Sequence, residues 1–223
     1  MYTNPFRYLF EALVTTKKPI GDNIHIAIDT IHHGHHLVTY KGIRCLKCPF
    51  DYVIYQMLLW QIKPDLIIEI GTLTGGGTLY LADILDTIGK GIIHSIDIKD
   101  QSEKIVKKHK RIKLFYEGWE KYDTTNLKKK FKKILVIDDG AHVYEQVRDA
   151  LEKFAPLVSK NSYYLVEDGI VSYLKAPLKY HGGPNRAIDD FLQAHPEFVV
   201  DRKWCDMFGT NATFNINGYL KRL

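Results

Sequence analysis

Three carboxylates and a histidine carry the spacing of a metal-assisted reaction. Asp139 closes the apolar run 134–138, Glu167 and Asp168 close the run 162–167, and His142 lies three residues after Asp139 in the same loop. If the two runs are neighbouring strands of a parallel sheet, their C-terminal tips bring these acids to one edge, where they repel one another unless a cation sits among them. Three hard oxygen donors, Asp139, Glu167 and Asp168, with water completing the shell, suit Mg²⁺. Zinc more often recruits His or Cys. The imidazole of His142 faces the same pocket and can take a proton from a hydroxyl whose acidity the metal has raised. His142 is therefore the general-base candidate, with Asp139 beside it at the reacting centre. The competing assignment makes Asp139 and Asp168 simple caps of whatever follows them.

A second motif lies upstream. The segment 65–78 is an apolar run that includes Glu69 and breaks into a turn with Gly71, Thr72, Gly75, Gly76 and Gly77 before a helical pattern. Glycines there allow positive φ and let a ligand approach the main chain. The spacing is Gly-x-x-x-Gly-Gly, unlike the Gly-x-Gly-x-x-Gly turn that cradles a dinucleotide pyrophosphate, and an acid at position 69 suits a cationic ligand. A sulfonium amino acid, S-adenosylmethionine, is favoured over NAD, with Glu69, Gly71, Thr72, Gly75 and Gly76 lining its site. The next apolar run ends in Asp97, where a carboxylate can accept from both ribose hydroxyls. Trp119 stands where an adenine could stack, although an ordinary loop aromatic fits as well. Asp138 is assigned to the cofactor side of the fourth strand tip.

These side chains need a scaffold that aligns strand ends. Short β-branched runs at 65–70, 91–96, 112–116, 134–138, 162–167, 198–201 and 212–216 alternate with helical patterns at 76–87, 101–109, 123–131, 143–158 and 184–194. The expected fold is α/β: a Rossmann-like, doubly wound, seven-stranded, mostly parallel sheet with an antiparallel C-terminal hairpin, its last two strands joined by the loop 202–211. Residues 1–60 read differently, with a helix near 5–14, a polar stretch and a helix at 49–61. They are expected to form a cap or homo-oligomerisation arm on a cofactor-binding domain spanning 61–223.

Bulk properties narrow the class. A chain of 223 residues with 45% hydrophobic and 26% charged residues suits one globular α/β domain with an extension. No apolar run is long enough for a membrane helix, the start lacks a signal-peptide layout, and three cysteines are too few for a disulfide framework, so a cytoplasmic setting is expected. The net charge of +5 is gathered in lysine clusters at 104–113 and 128–133, which hold the single aromatic Phe131 and not the series of stacking aromatics of a single-strand groove, so a small-molecule or glycan substrate is expected, not a nucleic acid or a membrane. Cys45 and Cys48 have zinc-like spacing near His25, His32, His33, His35 and His36, but no second Cys-x-x-Cys completes a four-ligand site.

Taken in order, Tyr40 with Gly42, the segment 64–76, the segment 137–142 ending in His142, the segment 164–168, Gly182 to Pro184 and the segment 213–222 resemble the cephalosporin-hydroxylase-type methyltransferases from about residue 37 onward. The resemblance implies a Mg²⁺-dependent S-adenosylmethionine O-methyltransferase related to enzymes that methylate sugar hydroxyls on rhamnosyl glycolipids and macrolides. It also implies Asp139, Glu167 and Asp168 as metal ligands and His142 as base, in an in-line displacement on a hydroxyl of a vicinal pair. One departure is that the usual Leu-Asp-Ser-x-His turn is here lengthened by an acid, which leaves Asp138 and Asp139 as alternatives for the metal. The rivals are a nicotinamide-dependent oxidoreductase and an RNA-modifying methyltransferase.

Overall fold

The computed structural model describes residues 27–174 and 177–223; the helix expected near residues 5–14, and His25, lie outside them. The chain divides into two compact units, residues 1–34 and 35–223. Helix α1 (Ile28–His35) comes first in the described chain. The second unit opens with a small antiparallel ribbon, β1 (Thr39–Tyr40) and β2 (Ile43–Arg44), followed by α2 (Pro49–Ile62). Pro49 starts that helix where its missing N–H has no intrahelical partner to lose.

The main sheet is built from β3 (Leu66–Ile70), β4 (Ile92–Ile96), β5 (Ile112–Phe115), β6 (Ile134–Asp138), β7 (Tyr163–Val166), β8 (Phe198–Val200) and β9 (Tyr219–Arg222), in the spatial order β5-β4-β3-β6-β7-β9-β8. Strands β3 to β7 pair in parallel, and β9 runs antiparallel to both β7 and β8. The expected seven-stranded doubly wound sheet with an antiparallel end is therefore present. Every residue of β3, β6 and β7 is buried, which explains why these segments read as nearly continuous apolar runs, interrupted only by Glu69 and ended by Asp138. One face packs against α2 and α3 (Gly76–Ile88), and the other against α6 (Tyr144–Phe154) and α7 (Gly183–Ala194).

Three sequence expectations are corrected. The helices expected at 101–109 and 123–131 shrink to single turns, α4 (Lys104–Lys107) and α5 (Leu127–Lys130). Lys104 meets like charge at 107 and 108 in a longer α4, while Asp123 accepts from the Thr125 amide at 2.8 Å, a local bond that competes with helix. The last strand is not at 212–216 but at β9. Thr213 Oγ1 and the Phe214 amide donate to the buried Asp51 carboxylate, so this stretch satisfies its polar groups on a side chain instead of a ladder. The loop expected at 202–211 contains the short α8 (Arg202–Cys205).

Register decides the site. Ile70 pairs with Ile96 and with Asp138, and Asp138 pairs with Val166, so the residues just past these positions, Gly71, Asp97, Asp139 and Glu167, leave the sheet at one level. The ladder continues one step beyond: Gly71 N donates to Ile96 O at 2.8 Å, Asp139 N to Ile70 O at 2.9 Å and Glu167 N to Asp138 O at 2.9 Å. Strand order reverses between β3 and β6, the crevice where ligands of open α/β sheets bind. Among the described residues no helix is long and apolar enough to cross a membrane.

Candidate active site

The turn after β3 is held by the chain itself. Gly71 has φ +95°, and a Cβ there would lie 2.1 Å from the Asp139 carbonyl oxygen; one on Gly76 would lie 2.1 Å from the Arg44 carbonyl oxygen. These glycines let β6 and the β1–β2 ribbon approach the turn. Asp97 then fixes it: Oδ2 accepts from Thr72 N at 3.0 Å and Leu73 N at 2.9 Å, and Oδ1 from Ile98 N at 2.7 Å and Lys99 N at 3.2 Å. A carboxylate on these amides supplies the negative charge that a phosphate-binding loop would take from its ligand. That arrangement disfavours a pyrophosphate and leaves a site tolerant of a cationic group.

Glu69 lies beneath the turn, buried, its Oε2 accepting from Thr78 Oγ1 and Ser95 Oγ at 2.6 Å each, while Thr72 Oγ1 and Ser95 Oγ share a further bond at 2.6 Å. Burial pushes the Glu69 carboxyl up to about 7 against the opposing pull of the two hydroxyls and Lys47. Burial likewise raises Asp51 and Asp138 to about 7. A carboxyl whose folded pKa is raised holds extra protons in the native state above its unfolded pKa near 4, so its contribution is full at low pH and is lost as pH rises through 7. The melting temperature is therefore expected to fall between about pH 4 and 7, and Glu69→Gln to flatten part of that slope, at most about 1.4 kcal/mol per pH unit for one proton. Thermal melts across the range check this; an unchanged slope in the variant removes Glu69 from the account.

Across the crevice, Asp139, His142 and Asp168 come together, with one ligand atom from each within 4.8 Å of the others. His142 Nε2 lies 3.3 Å from Asp168 Oδ2 and 3.9 Å from Asp139 Oδ1, and the three side chains are 19–26% exposed, open enough to meet a substrate. Both His142 (φ +57°) and Asp168 (φ +56°) sit in the left-handed region, which non-glycine residues adopt at a cost of about 1 kcal/mol or more and which clusters at functional sites.

Glu167 stands apart from that trio. Lys47 Nζ donates to Glu167 Oε1 and Oε2 at 2.6 and 2.7 Å and to Asp139 Oδ2 at 2.8 Å, and Tyr55 OH donates to Glu167 Oε1 at 2.7 Å. Burial alone would lower the Lys47 ammonium, yet the two carboxylates hold it well above the ordinary lysine range. Burial raises Asp139 and Glu167 in turn, reinforced by Asp168 for the first and by Asp139 for the second, and opposed by Lys47. Asp139 thus divides its oxygens: Oδ2 faces a dry cluster with Lys47, and Oδ1 faces the wetter pocket with His142.

Asp138 points to the other face of the sheet, buried, with Tyr164 OH at 3.4 Å and the Gly140 amide at 3.3 Å. Of the two alternatives, Asp139 is the aspartate beside His142 and Asp168. Trp119 is half-buried, packing against the α6 side with Phe154 at 6.4 Å between ring centres. Sequence reasoning missed Lys47, Asp51 and Tyr55. They recur every fourth residue across the start of α2, which is a signal that a polar face of that helix enters the core.

Comparison with known proteins places the chain in a family. The family described as Rhamnosyl O-methyltransferase/CmcI matches residues 32–223. A rhamnosyl O-methyltransferase of Mycobacterium leprae is 30% identical over 192 residues, covering 82% of each chain. One of Mycobacterium bovis is 30% identical over 195 residues, covering 82% of this chain and 78% of its own. A solved cmcI structure described as Mg-SAM shares the fold at a TM-score of 0.61 and 21% identity, covering 84% of this chain and 77% of that one. A match over this much of the chain, with relatives at this identity and coverage, means that the protein belongs to the rhamnosyl O-methyltransferase/CmcI family of O-methyltransferases.

Proposed function

We propose that the protein transfers a methyl group from S-adenosylmethionine to a hydroxyl of a sugar or glycosylated small molecule, with Mg²⁺ bound at the sheet edge. The observation that carries this is the common level at which Gly71, Asp97, Asp139 and Glu167 leave four adjacent strands, which sets a nucleoside-type turn beside an acid–histidine cluster. The names of the relatives support a sugar acceptor, and the Mg-SAM description of the cmcI structure supports the cofactor pair.

The residues fit a hard divalent ion. Asp139 and Asp168 offer partly exposed carboxylates at the right mutual spacing, and Glu167 stands behind Asp139 as the third acid. They would hold the cation, while the Gly71–Gly76 turn, Asp97 and Trp119 would border the nucleoside. When bound, the cation makes an acceptor hydroxyl more acidic and the sulfonium cofactor supplies the methyl group.

The chain contributes alignment and proton handling. His142 Nε2, directed at the same pocket as Asp139 Oδ1, takes the hydroxyl proton, and Asp168 at 3.3 Å orients the ring. Asp97 clamps the turn through the Thr72 and Leu73 amides and its own loop through those of Ile98 and Lys99, so the nucleoside meets a rigid edge that does not have to reorganise. Three free, buried cysteines, Cys45, Cys48 and Cys205, support a reducing, cytoplasmic setting.

Replacing His142 by Asn is expected to lower kcat by roughly 10²–10⁴-fold with little change in cofactor affinity and to remove the acid limb of the pH–rate profile. A profile of unaltered shape would assign the proton to another group. The overall proposal is tested by following labelled methyl from the cofactor over a panel of rhamnosides, other glycosides and small diols, with Mg²⁺ and with chelator. Label is expected on a glycoside and only with the metal; label on RNA or on no sugar would contradict it.

A further inference from the structure

Lys47 is the most deeply committed cation of the described site. Its side chain is 4% exposed, and its three contacts within 2.8 Å all go to carboxylate oxygens of Asp139 and Glu167. Glu69, Asp139 and Glu167 all emerge toward the α2–α3 face of the sheet, since they continue the alternation of Ile67, Ile137 and Leu165, and Lys47 enters from that side. The turn is shaped for it. Gly77, third of the glycine triplet, leaves the lane through which the lysine stem passes: a Cβ there would sit 3.3 Å from Lys47 Cε and 3.9 Å from Cys45 Sγ. The same polar seam runs on from Glu167 through Tyr55 OH to Asn215, which donates to it at 3.2 Å, and then to Tyr219 and Asp51, joining α2 to the segment before β9.

Asp139 and Glu167 need positive charge. Glu167 is 4% exposed and has little access to water, whereas Asp139 is 24% exposed. We propose that Lys47 is a positioning residue that stands in for part of the metal's charge, keeping Asp139 and Glu167 assembled when no divalent cation is bound and lowering the cation's affinity when one is. The proposal rests on the metal reading above. Its physical basis is that an unpaired buried carboxylate is strongly destabilising, and that a fixed ammonium touching a metal ligand opposes a second cation there. The acid site would then be preformed, so that cofactor and acceptor meet a finished pocket in either state of metal loading.

Lys47→Met, which keeps the unbranched stem and removes the charge, tests this together with the double variant Lys47→Met/Glu167→Gln. In chelator the single variant is expected to melt roughly 10 °C below the wild type, and the double variant to recover at least half of that loss. In calorimetric titration with Mn²⁺ the single variant is expected to bind at least about tenfold more tightly than the wild type, and saturating Mn²⁺ to close most of the gap in melting temperature. A single variant that melts with the wild type in chelator, a double variant no better than the single, or Mn²⁺ affinity that is unchanged or weaker would each overturn the assignment. Should the single variant fail to fold, a folded double variant supports it and an unfolded one overturns it. Absence of Mn²⁺ binding by all three proteins overturns the metal reading itself. That result comes from a titration separate from the melts in chelator, so the two failures are distinguishable.

Discussion

Asp139→Asn is expected to reduce methyl transfer by at least about a thousandfold while S-adenosylhomocysteine still binds with near wild-type affinity. The asymmetry follows from position. Asp139 leaves β6 facing His142 and Asp168 on one side and Lys47 on the other, whereas the nucleoside side of the crevice is built from the turn after β3 and from Asp97, neither of which takes a side-chain bond from it. Asparagine preserves volume, and Lys47 keeps both of its bonds to Glu167, so the strand tip stays folded. What is lost is one full negative charge at the point where a cation and an acceptor hydroxyl are to be held. Single-turnover kinetics and calorimetry with S-adenosylhomocysteine measure the two quantities separately. Turnover within tenfold of the wild type would remove Asp139 from the reacting centre.

Gly71→Ala is expected to be the most damaging single methyl group that can be added to the turn. Its Cβ would lie 2.1 Å from the Asp139 carbonyl oxygen and 2.8 Å from the carbonyl carbon, and φ at this residue is +95°. Neither strand can retreat: β3 is buried on both faces and pairs with β4 and β6, and the Asp139 amide is bonded to Ile70 O at 2.9 Å. Strain and overpacking together are expected to cost about 3–5 kcal/mol, or a drop of roughly 10 °C in Tm for a chain of this size. The displaced backbone is that of Asp139, so activity per folded molecule should fall as well. Denaturant melts combined with activity at a temperature where the variant is fully folded test both parts. A Tm within about 2 °C of the wild type would mean that the β3–β6 crevice is looser than described.

The sheet was legible because its strands are unusually plain. Ile67 and Ile68, Leu135 and Val136, and Tyr164 and Leu165 are buried on both faces of parallel strands, so continuous apolar runs and their breaks gave the element order directly. Asp97, Asp139, Glu167 and Asp168 were legible for a related reason: a charged residue ending such a run must leave the sheet at its C-terminal tip, which is where this architecture binds ligands. The residues left unread owe their place to partners distant in sequence. Lys47 meets Asp139 and Glu167 across 92 and 120 residues, and Asp51 meets Thr213 and Phe214 across 162 and 163. The four-residue spacing of Lys47 and Asp51 marks a polar helix face, but no local periodicity reports which distant partners it meets. The same long-range bonds displaced the expected strand at 212–216, because Asp51 captured the polar groups that a ladder would have used. Asp97 lies between these cases. Its place at a strand tip follows from the apolar run it ends, whereas its bonds to the Thr72 and Leu73 amides, which shape the turn, join it to residues 25 and 24 positions away.

Joint occupancy of the crevice is what the whole account requires, and a crystal grown with S-adenosylhomocysteine and Mn²⁺ tests it through anomalous scattering. A manganese peak is expected in contact with Asp139 and Asp168, and a sulfur peak at the carboxyl end of β3, on the same side of the sheet. A manganese peak elsewhere, or a cofactor bound away from the Gly71 turn with the acid cluster empty, would contradict it.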